Sequence, residues 1–281
     1  MIRIAEGGLP RYCFESFGGK EVVHGVFARL GGVSSGPFST LNVGHSVGDD
    51  PVCVEANHKA IYRALGVDPG SVATAQQVHG DRVAIVSRQM GGQTVAQTDA
   101  LISGVPGVVL LMRFADCVPI FLYAPRQGAV GLAHAGWQGT VKRIAPKTAR
   151  AMISAYGCSP GELYAGLGPA IGPCCFEVGP EVAEAIRGAS PSPDSVISRM
   201  LPGGKAHVDL WRVNALQLQE IGVTHIEACD LCTCCHRDLF FSYRREGGRT
   251  GRFAAAIGLL AAPSSDSVQG HRAELNRGVI P

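Results

Sequence analysis

Three apolar runs, over residues 108–114, 118–123 and 129–134, follow one another across short gaps, and each is continuous rather than alternating. A half-exposed strand alternates apolar and polar residues, so continuous runs of strand length suit strands covered on both faces. Other elements must then supply layers above and below them. Asp50 and Pro51 open a helix, Val54, Ile61 and Leu65 continue it with helical period, and Gly66 stops it. A second helical stretch runs from Gly136 to about residue 156, with Pro146 kinking it or delaying its start. Helices are also predicted over 180–187 and over 209–219, the latter capped by Asp209. Further strands are predicted at 21–27, 72–78, 81–87, 163–167, 226–229, 239–244 and 253–260. Strands mixed with helices throughout, with no internal repeat, predict an α/β fold. It is expected to be a single layered domain over residues 1–262, with a mixed β-sheet core flanked by helices. Residues 263–281 have too little apolar surface to offset their ordering entropy and read as a mobile tail.

Composition narrows the function classes. Hydrophobic residues make up 46% and charged residues 17%, which excludes a largely disordered chain and a coiled coil. Glycine contributes 37 residues of 281, about twice the usual share, without a collagen period. Lys and Arg number 25 against 23 Asp and Glu, a balance that gives no support for nucleic-acid binding. No apolar run is long enough to span a bilayer and no signal peptide is recognisable, so a cytoplasmic protein with no membrane partner is expected. In a reducing compartment ten cysteines point to metal binding or catalysis rather than a disulfide framework.

His79, Cys117 and His134 each stand in or beside a predicted central strand. Two imidazoles and a thiolate form a zinc ligand set that leaves the fourth tetrahedral position open, as catalytic sites do. Their spacing is unlike a zinc finger, and the same residue types also suit ordinary buried positions. Cys117 and His134 equally suit a thiolate–imidazolium pair of the cysteine-hydrolase kind. The turn Gly136-Trp137-Gln138-Gly139 before a helix, with Lys142 and Arg143 nearby, suits an anion subsite or a tight packing turn. Arg29, beside a Gly-Gly turn, and Arg244, in the aromatic run Phe240-Phe241-Ser242-Tyr243, are further anion candidates, with solvated salt-bridge arginines as the plain alternative. On a strand, Arg244 and Arg245 point to opposite faces. By the same alternation Asp116 faces away from Cys117 unless a bulge intervenes, and its suggested role is to fix a histidine tautomer. Cys229, Cys232, Cys234, Cys235 and His236 are dense enough for a structural metal, with Cys174 and Cys175 as a distant pair. The spacing is awkward, and this cluster is not expected to complete a second zinc site.

Ten motifs occur in order: Arg29-Leu-Gly-Gly-Val-Ser34, Leu41-Asn42, Gly48-Asp49, Gln77-Val78-His79-Gly80, Thr98-Asp99-Ala100, Ala115-Asp116-Cys117-Val118-Pro119, His134-Ala-Gly-Trp137, Gly168-Pro-Ala-Ile171, Cys175-Phe-Glu-Val-Gly179 and Phe241-Ser-Tyr-Arg244. Together they resemble the YfiH-type laccase-domain proteins, also called multi-copper polyphenol oxidoreductases and described as purine nucleoside phosphorylases. The resemblance covers about residues 20–260. It implies metal ligation by His79, Cys117 and His134, the residues also taken as catalytic. The cofactor it implies is Zn²⁺, with Cu²⁺ as the other cation. It implies transferase action, the phosphorolysis of adenosine, inosine and 5′-methylthioadenosine, and hydrolase action, the deamination of adenosine. The partners are therefore small purine nucleosides and phosphate, handled by a monomer or homodimer. Arg29, Asn42, Gln77, Gln138 and Arg244 are the substrate-binding candidates. A copper-dependent, laccase-like polyphenol oxidase and a peptidoglycan-precursor editing enzyme are the alternatives the resemblance carries. Nine histidines without a His-x-His pair weigh against multicopper chemistry. The family commonly has Arg where Gln138 stands, and Asn-Arg where Asn57-His58 stands.

Overall fold

The structure is a computed structural model that describes residues 1–4, 8–19 and 21–261. The expected tail over 263–281 lies outside the described residues. The core is two mixed sheets stacked face to face. In the first, the strands run in the order Ile2–Ile4, Arg11–Cys13, Val22–Phe27, Phe253–Leu259, Val109–Phe114, Val72–Ala75 and Thr94–Val95. In the second the order is His225–Ala228, Tyr164–Leu167, Val118–Ala124, Ala129–Ala135, Ala100–Ser103 and Val83–Ile85. A small third sheet joins Glu177–Val178, Ala206–Val208 and Ile197–Met200.

The continuous apolar strands have two buried faces, as their pattern requires. In Ala129–Ala135, Val130 and Leu132 face the other sheet, where Phe114, Phe253 and Ile257 are buried with them. Ala129, Ala133 and Ala135 face the helices Ile144–Tyr156 and Leu210–Glu220. Helix Pro51–Leu65 covers the outer face of the first sheet through Ile61 and Leu65. Each fully buried phenylalanine contributes about 1.5–3 kcal/mol from burial alone, so the space between the sheets is where most of the driving force lies.

Helix ends follow local chemistry. Asp50 accepts the Val52 N–H at 2.9 Å, and Gly66 takes the left-handed φ of 68° at the C-cap. Asp209 accepts the Arg212 N–H at 3.0 Å. The stretch after Gly136 divides into Trp137–Val141 and Ile144–Tyr156, with Arg143 between them at φ 64°. Pro146 falls in the first turn of the second helix, where its missing N–H has no intrahelical partner to lose.

One predicted element is corrected. Residues 239–244 form turns, not a strand. The Glu246 carboxylate accepts the Ser242 N–H at 3.1 Å, and the Glu246 N–H donates back to the Ser242 carbonyl at 3.0 Å. These local bonds take the backbone groups a strand would have offered to a neighbour, so strand alternation does not govern Arg244 and Arg245.

Candidate metal centre and its cavity

The chain passes between the two sheets at one end of the sandwich, and these crossings build the site. Residues 76–82 leave the first sheet for the second and carry His79. Residues 96–99 make the same crossing and carry Asp99. Residues 115–117 do so again and carry Cys117. His134 arrives from within strand Ala129–Ala135, on the face it shares with Val130 and Leu132. The donor atoms of His79, Cys117 and His134 all lie within 4.8 Å of one another. Cys117 Sγ is 3.9 Å from His79 Nε2, and the two imidazoles meet edge to face at 4.8 Å between centroids.

Asp99 holds this arrangement. Its carboxylate, fully buried, accepts the backbone N–H groups of Val78, His79 and Gly80 at 3.1, 3.0 and 2.7 Å. Those three bonds support His79 at a left-handed φ of 56°. The same carboxylate lies 2.9 Å from His134 Nδ1, which assigns a proton to that nitrogen and turns Nε2 to the cavity side. Asp116, the expected tautomer-fixing residue, is bonded elsewhere. Its Oδ1 accepts from Thr233 Oγ1 at 2.6 Å and its Oδ2 from the Arg244 N–H at 2.7 Å. It sits at φ 85°, so the strand alternation assumed for it does not hold.

Gly136 is required by close approach. A Cβ at this position would stand 2.8 Å from Cys117 Sγ and 3.1 Å from a His79 ring carbon. The electrostatics suit a thiolate. Burial works against ionising Cys117, but the charge of His134 and hydrogen bonds from both histidines bring its thiol down to about 6. Burial likewise opposes the His134 charge, yet the Cys117 thiolate and the bond to Asp99 raise it to about 9. A soft sulfur donor, two imidazoles and a carboxylate behind one of them fit a zinc-type cation with an open coordination position.

The three donors open on a cavity of about 660 Å³. Of the sequence candidates, Gln77, Gln138 and Arg244 line it, and Arg29 and Asn42 do not. Gln77 spends its amide on the backbone of Arg113, donating at 2.7 Å and accepting at 3.0 Å. Gln138 is exposed. Arg244 lies over the Phe176 ring at 5.5 Å and donates to the Cys175 carbonyl at 3.1 Å. Arg29 is engaged by the Glu246 carboxylate at 2.9 Å and stacks over Phe241 at 4.2 Å. Asn42 is fully buried and acts as a brace, accepting the Arg252 N–H at 2.8 Å and donating to Asp49 at 2.8 Å. Lys142 and Arg143 turn away, towards the His79 carbonyl and Glu220.

Sequence reasoning missed Arg113, Arg252 and His45, which also line the cavity. Burial lowers the pKa of both guanidinium groups, so their charge is held in a poorly solvated wall. Arg113 Nη1 lies 3.3 Å from His45 Nδ1, and His45 stacks on His58 at 4.9 Å. His58, the departure from the family pattern, is therefore behind the wall and not in it. A Gly-Arg pair ending a turn before strand Phe253–Leu259 was the available signal for Arg252.

Residues 23–260 match the sequence profile of the multi-copper polyphenol oxidoreductase laccase family. A purine nucleoside phosphorylase YlmD of Geobacillus stearothermophilus is 38% identical over 245 residues, which is 84% of this chain and 89% of that protein. A purine nucleoside phosphorylase YfiH of Escherichia coli is 37% identical, covering 83% of this chain and 91% of that one. The crystal structure of YlmD from G. stearothermophilus superposes with a TM-score of 0.85 over 90% of this chain and 96% of that one, at 37% identity.

Proposed function

The chain belongs to the multi-copper polyphenol oxidoreductase laccase family, and from that premise we propose that it is a zinc-dependent purine nucleoside phosphorylase acting on adenosine, inosine and 5′-methylthioadenosine, with adenosine deaminase activity. The observation that carries this reading is the convergence of His79, Cys117 and His134 on a cavity whose wall holds Arg113, Arg244 and Arg252. Relatives with the name purine nucleoside phosphorylase support the same class.

The cavity offers two kinds of surface. Trp137, Phe176 and Tyr243 present aromatic faces suited to a flat purine. The arginines suit a phosphate dianion, since guanidinium groups bond oxyanions bidentately. In phosphorolysis a phosphate oxygen bonds the ribose anomeric carbon as the bond to the purine nitrogen breaks. The electron pair leaves with the base, which takes up a proton. The arginines align the nucleophile and balance its charge, and the aromatic wall orients the leaving base. A cation held by His79, Cys117 and His134 would supply Lewis acidity and lower the pKa of a water it binds. Asp99 keeps His134 protonated on Nδ1 so that Nε2 stays a donor. Among the described residues no helix is long and apolar enough to cross a membrane, and we assign the enzyme to the cytoplasm.

The test is phosphate-dependent release of hypoxanthine from inosine, measured with metal content and with oxygen uptake on a phenol. Turnover of inosine that needs both phosphate and metal, and is lost in Cys117→Ala, is expected. Turnover of a metal-free protein would return Cys117 and His134 to the thiolate–imidazolium reading. Oxygen uptake without phosphorolysis would favour the polyphenol oxidase reading.

A further inference from the structure

Outside the cavity, two loops distant in sequence bring four cysteines together. Cys174 and Cys175 lie between strands Tyr164–Leu167 and Glu177–Val178, and Cys232 and Cys235 lie after strand His225–Ala228. Their four Sγ atoms all fall within 4.8 Å of one another. Cys235 Sγ is 3.6 Å from Cys174 Sγ and 3.5 Å from Cys175 Sγ, and all four thiols are free. Cys229 and Cys234, the other members of the sequence cluster, are buried and stand outside this group. The expectation that this cluster completes no second zinc site rests on the lack of a distant pair at normal spacing. The missing pair is supplied by tertiary contact rather than by sequence spacing.

We infer that Cys174, Cys175, Cys232 and Cys235 form a structural tetrathiolate site for a single zinc-type cation, separate from the centre at Cys117. Four sulfurs at about 2.3 Å from one tetrahedral zinc stand about 3.8 Å apart. The two Cys235 separations of 3.6 and 3.5 Å are close to that spacing. A closed set of four protein thiolates leaves no position for substrate, which makes the site structural.

The surroundings are built for it. The Gly172 N–H donates to Cys232 Sγ at 3.2 Å, as backbone amides do for ligating thiolates. A Cβ on Gly172 would stand 3.2 Å from Cys232 Cβ, 3.4 Å from Cys174 Sγ and 3.1 Å from the Trp211 ring, so a side chain there would crowd Cys232 and the Trp211 ring and touch Cys174. The two loops are registered by a bridge between Ala170 and Cys232 and by the Thr233 N–H on the Ala170 carbonyl at 2.9 Å. Two guanidinium groups stand on the backbone of these loops. Arg244 donates to the Cys175 carbonyl and Arg245 to the Cys234 carbonyl, each at 3.1 Å. The site also has a mechanical role. The loops it joins carry Phe176 and Ile171 into the cavity wall and Thr233 onto Asp116, which in turn bonds the Arg244 backbone.

The experiment uses the full chain and a Cys117→Ser variant, which removes the other metal centre. Elemental analysis and native mass spectrometry of Cys117→Ser are expected to find about one zinc per chain. Adding Cys232→Ser and Cys235→Ser is expected to reduce that to below about one tenth. Cobalt loading of Cys117→Ser, without touching the four cysteines, gives a second readout that does not depend on the cluster variants folding. Intense thiolate-to-cobalt charge transfer with a tetrahedral visible band supports the site. A metal-free Cys117→Ser protein with these thiols freely titratable overturns it, and so does a Cys174–Cys235 or Cys175–Cys235 disulfide in peptide maps. The centre at Cys117 is read separately, as the zinc that the wild-type chain holds in excess of Cys117→Ser.

Discussion

The carboxylate of Asp99 lies 2.9 Å from His134 Nδ1 while bonding the His79 backbone N–H at 3.0 Å, so one buried acid sets the position of both histidines of the candidate metal centre. Asp99→Asn removes the charge and one acceptor without changing shape. Zinc affinity at the Cys117 centre should fall about 10–100-fold, the usual cost of losing such a partner. Competition against a chromogenic chelator measures it. An unchanged affinity would show that Asp99 serves only the turn at residues 78–80.

Gly136→Ala tests the closeness of the donors. Gly136 has an ordinary φ of −72°, so alanine costs no backbone strain there, and the effect comes from crowding Cys117 Sγ and the His79 ring. Overpacking of this kind costs about 1–3 kcal/mol. Metal affinity should fall by about tenfold or more, since 1.4 kcal/mol is a factor of ten. Thermal unfolding of the metal-free protein should move far less. A large loss of apo stability with normal metal affinity would count against the geometry.

Arg252 and Gln138 test the phosphate subsite from opposite directions. Arg252→Gln exchanges a charge-assisted hydrogen bond of about 1.5–3 kcal/mol for a neutral one of about 1 kcal/mol, so the phosphate KM should rise several-fold or more. Gln138→Arg should lower it by up to about tenfold by the same arithmetic. Adenosine deamination consumes no phosphate and should change little in either variant. Equal changes in both reactions would remove these residues from the phosphate subsite.

Two buried histidines predict acid sensitivity. His24 and His58 are each lowered to about 4, mainly by burial and, for His58, then by the charge of His45. Their pKa in the unfolded chain is about 6.5. Between the two values the unfolded chain binds more protons, so stability falls as pH drops from about 6.5 to about 4. Each histidine contributes a slope of about 1.4 kcal/mol per pH unit. Urea unfolding across this range should show the loss, and His24→Asn should roughly halve the slope. A flat profile below pH 6.5 would contradict both assignments.

What was legible in the sequence had local causes. Asp50 and Gly66 bound their helix by capping chemistry, and continuous apolar runs marked strands buried on both faces. His79, Cys117 and His134 were singled out by their ordered motifs, and the fold brings their donor atoms together. Asp99 stood in plain view between Thr98 and Ala100, but its role rests on bonds to residues 78–80 and 134 that only folding creates. Arg29 and Asn42 carry the right chemistry and spend it on Glu246, Asp49 and the Arg252 backbone. The aromatic run at 240–243 resembled a strand until the Glu246 carboxylate took the Ser242 N–H. The pairing of Cys174 and Cys175 with Cys232 and Cys235 has no signature in spacing, since it depends on two loops meeting.

Because His79, Asp99 and Cys117 all ride on passages between the sheets, the donor set exists only once the sandwich has closed. A nascent chain with one sheet formed presents no such trio to a cation. Metal loading of the centre at Cys117 is then a late event, and the rate of folding should be indifferent to its occupancy. The escape rate from the native state should respond instead, because interactions absent from the folding transition state slow unfolding without hastening folding. At this centre, metal occupancy would govern how long a molecule lasts rather than how many molecules fold.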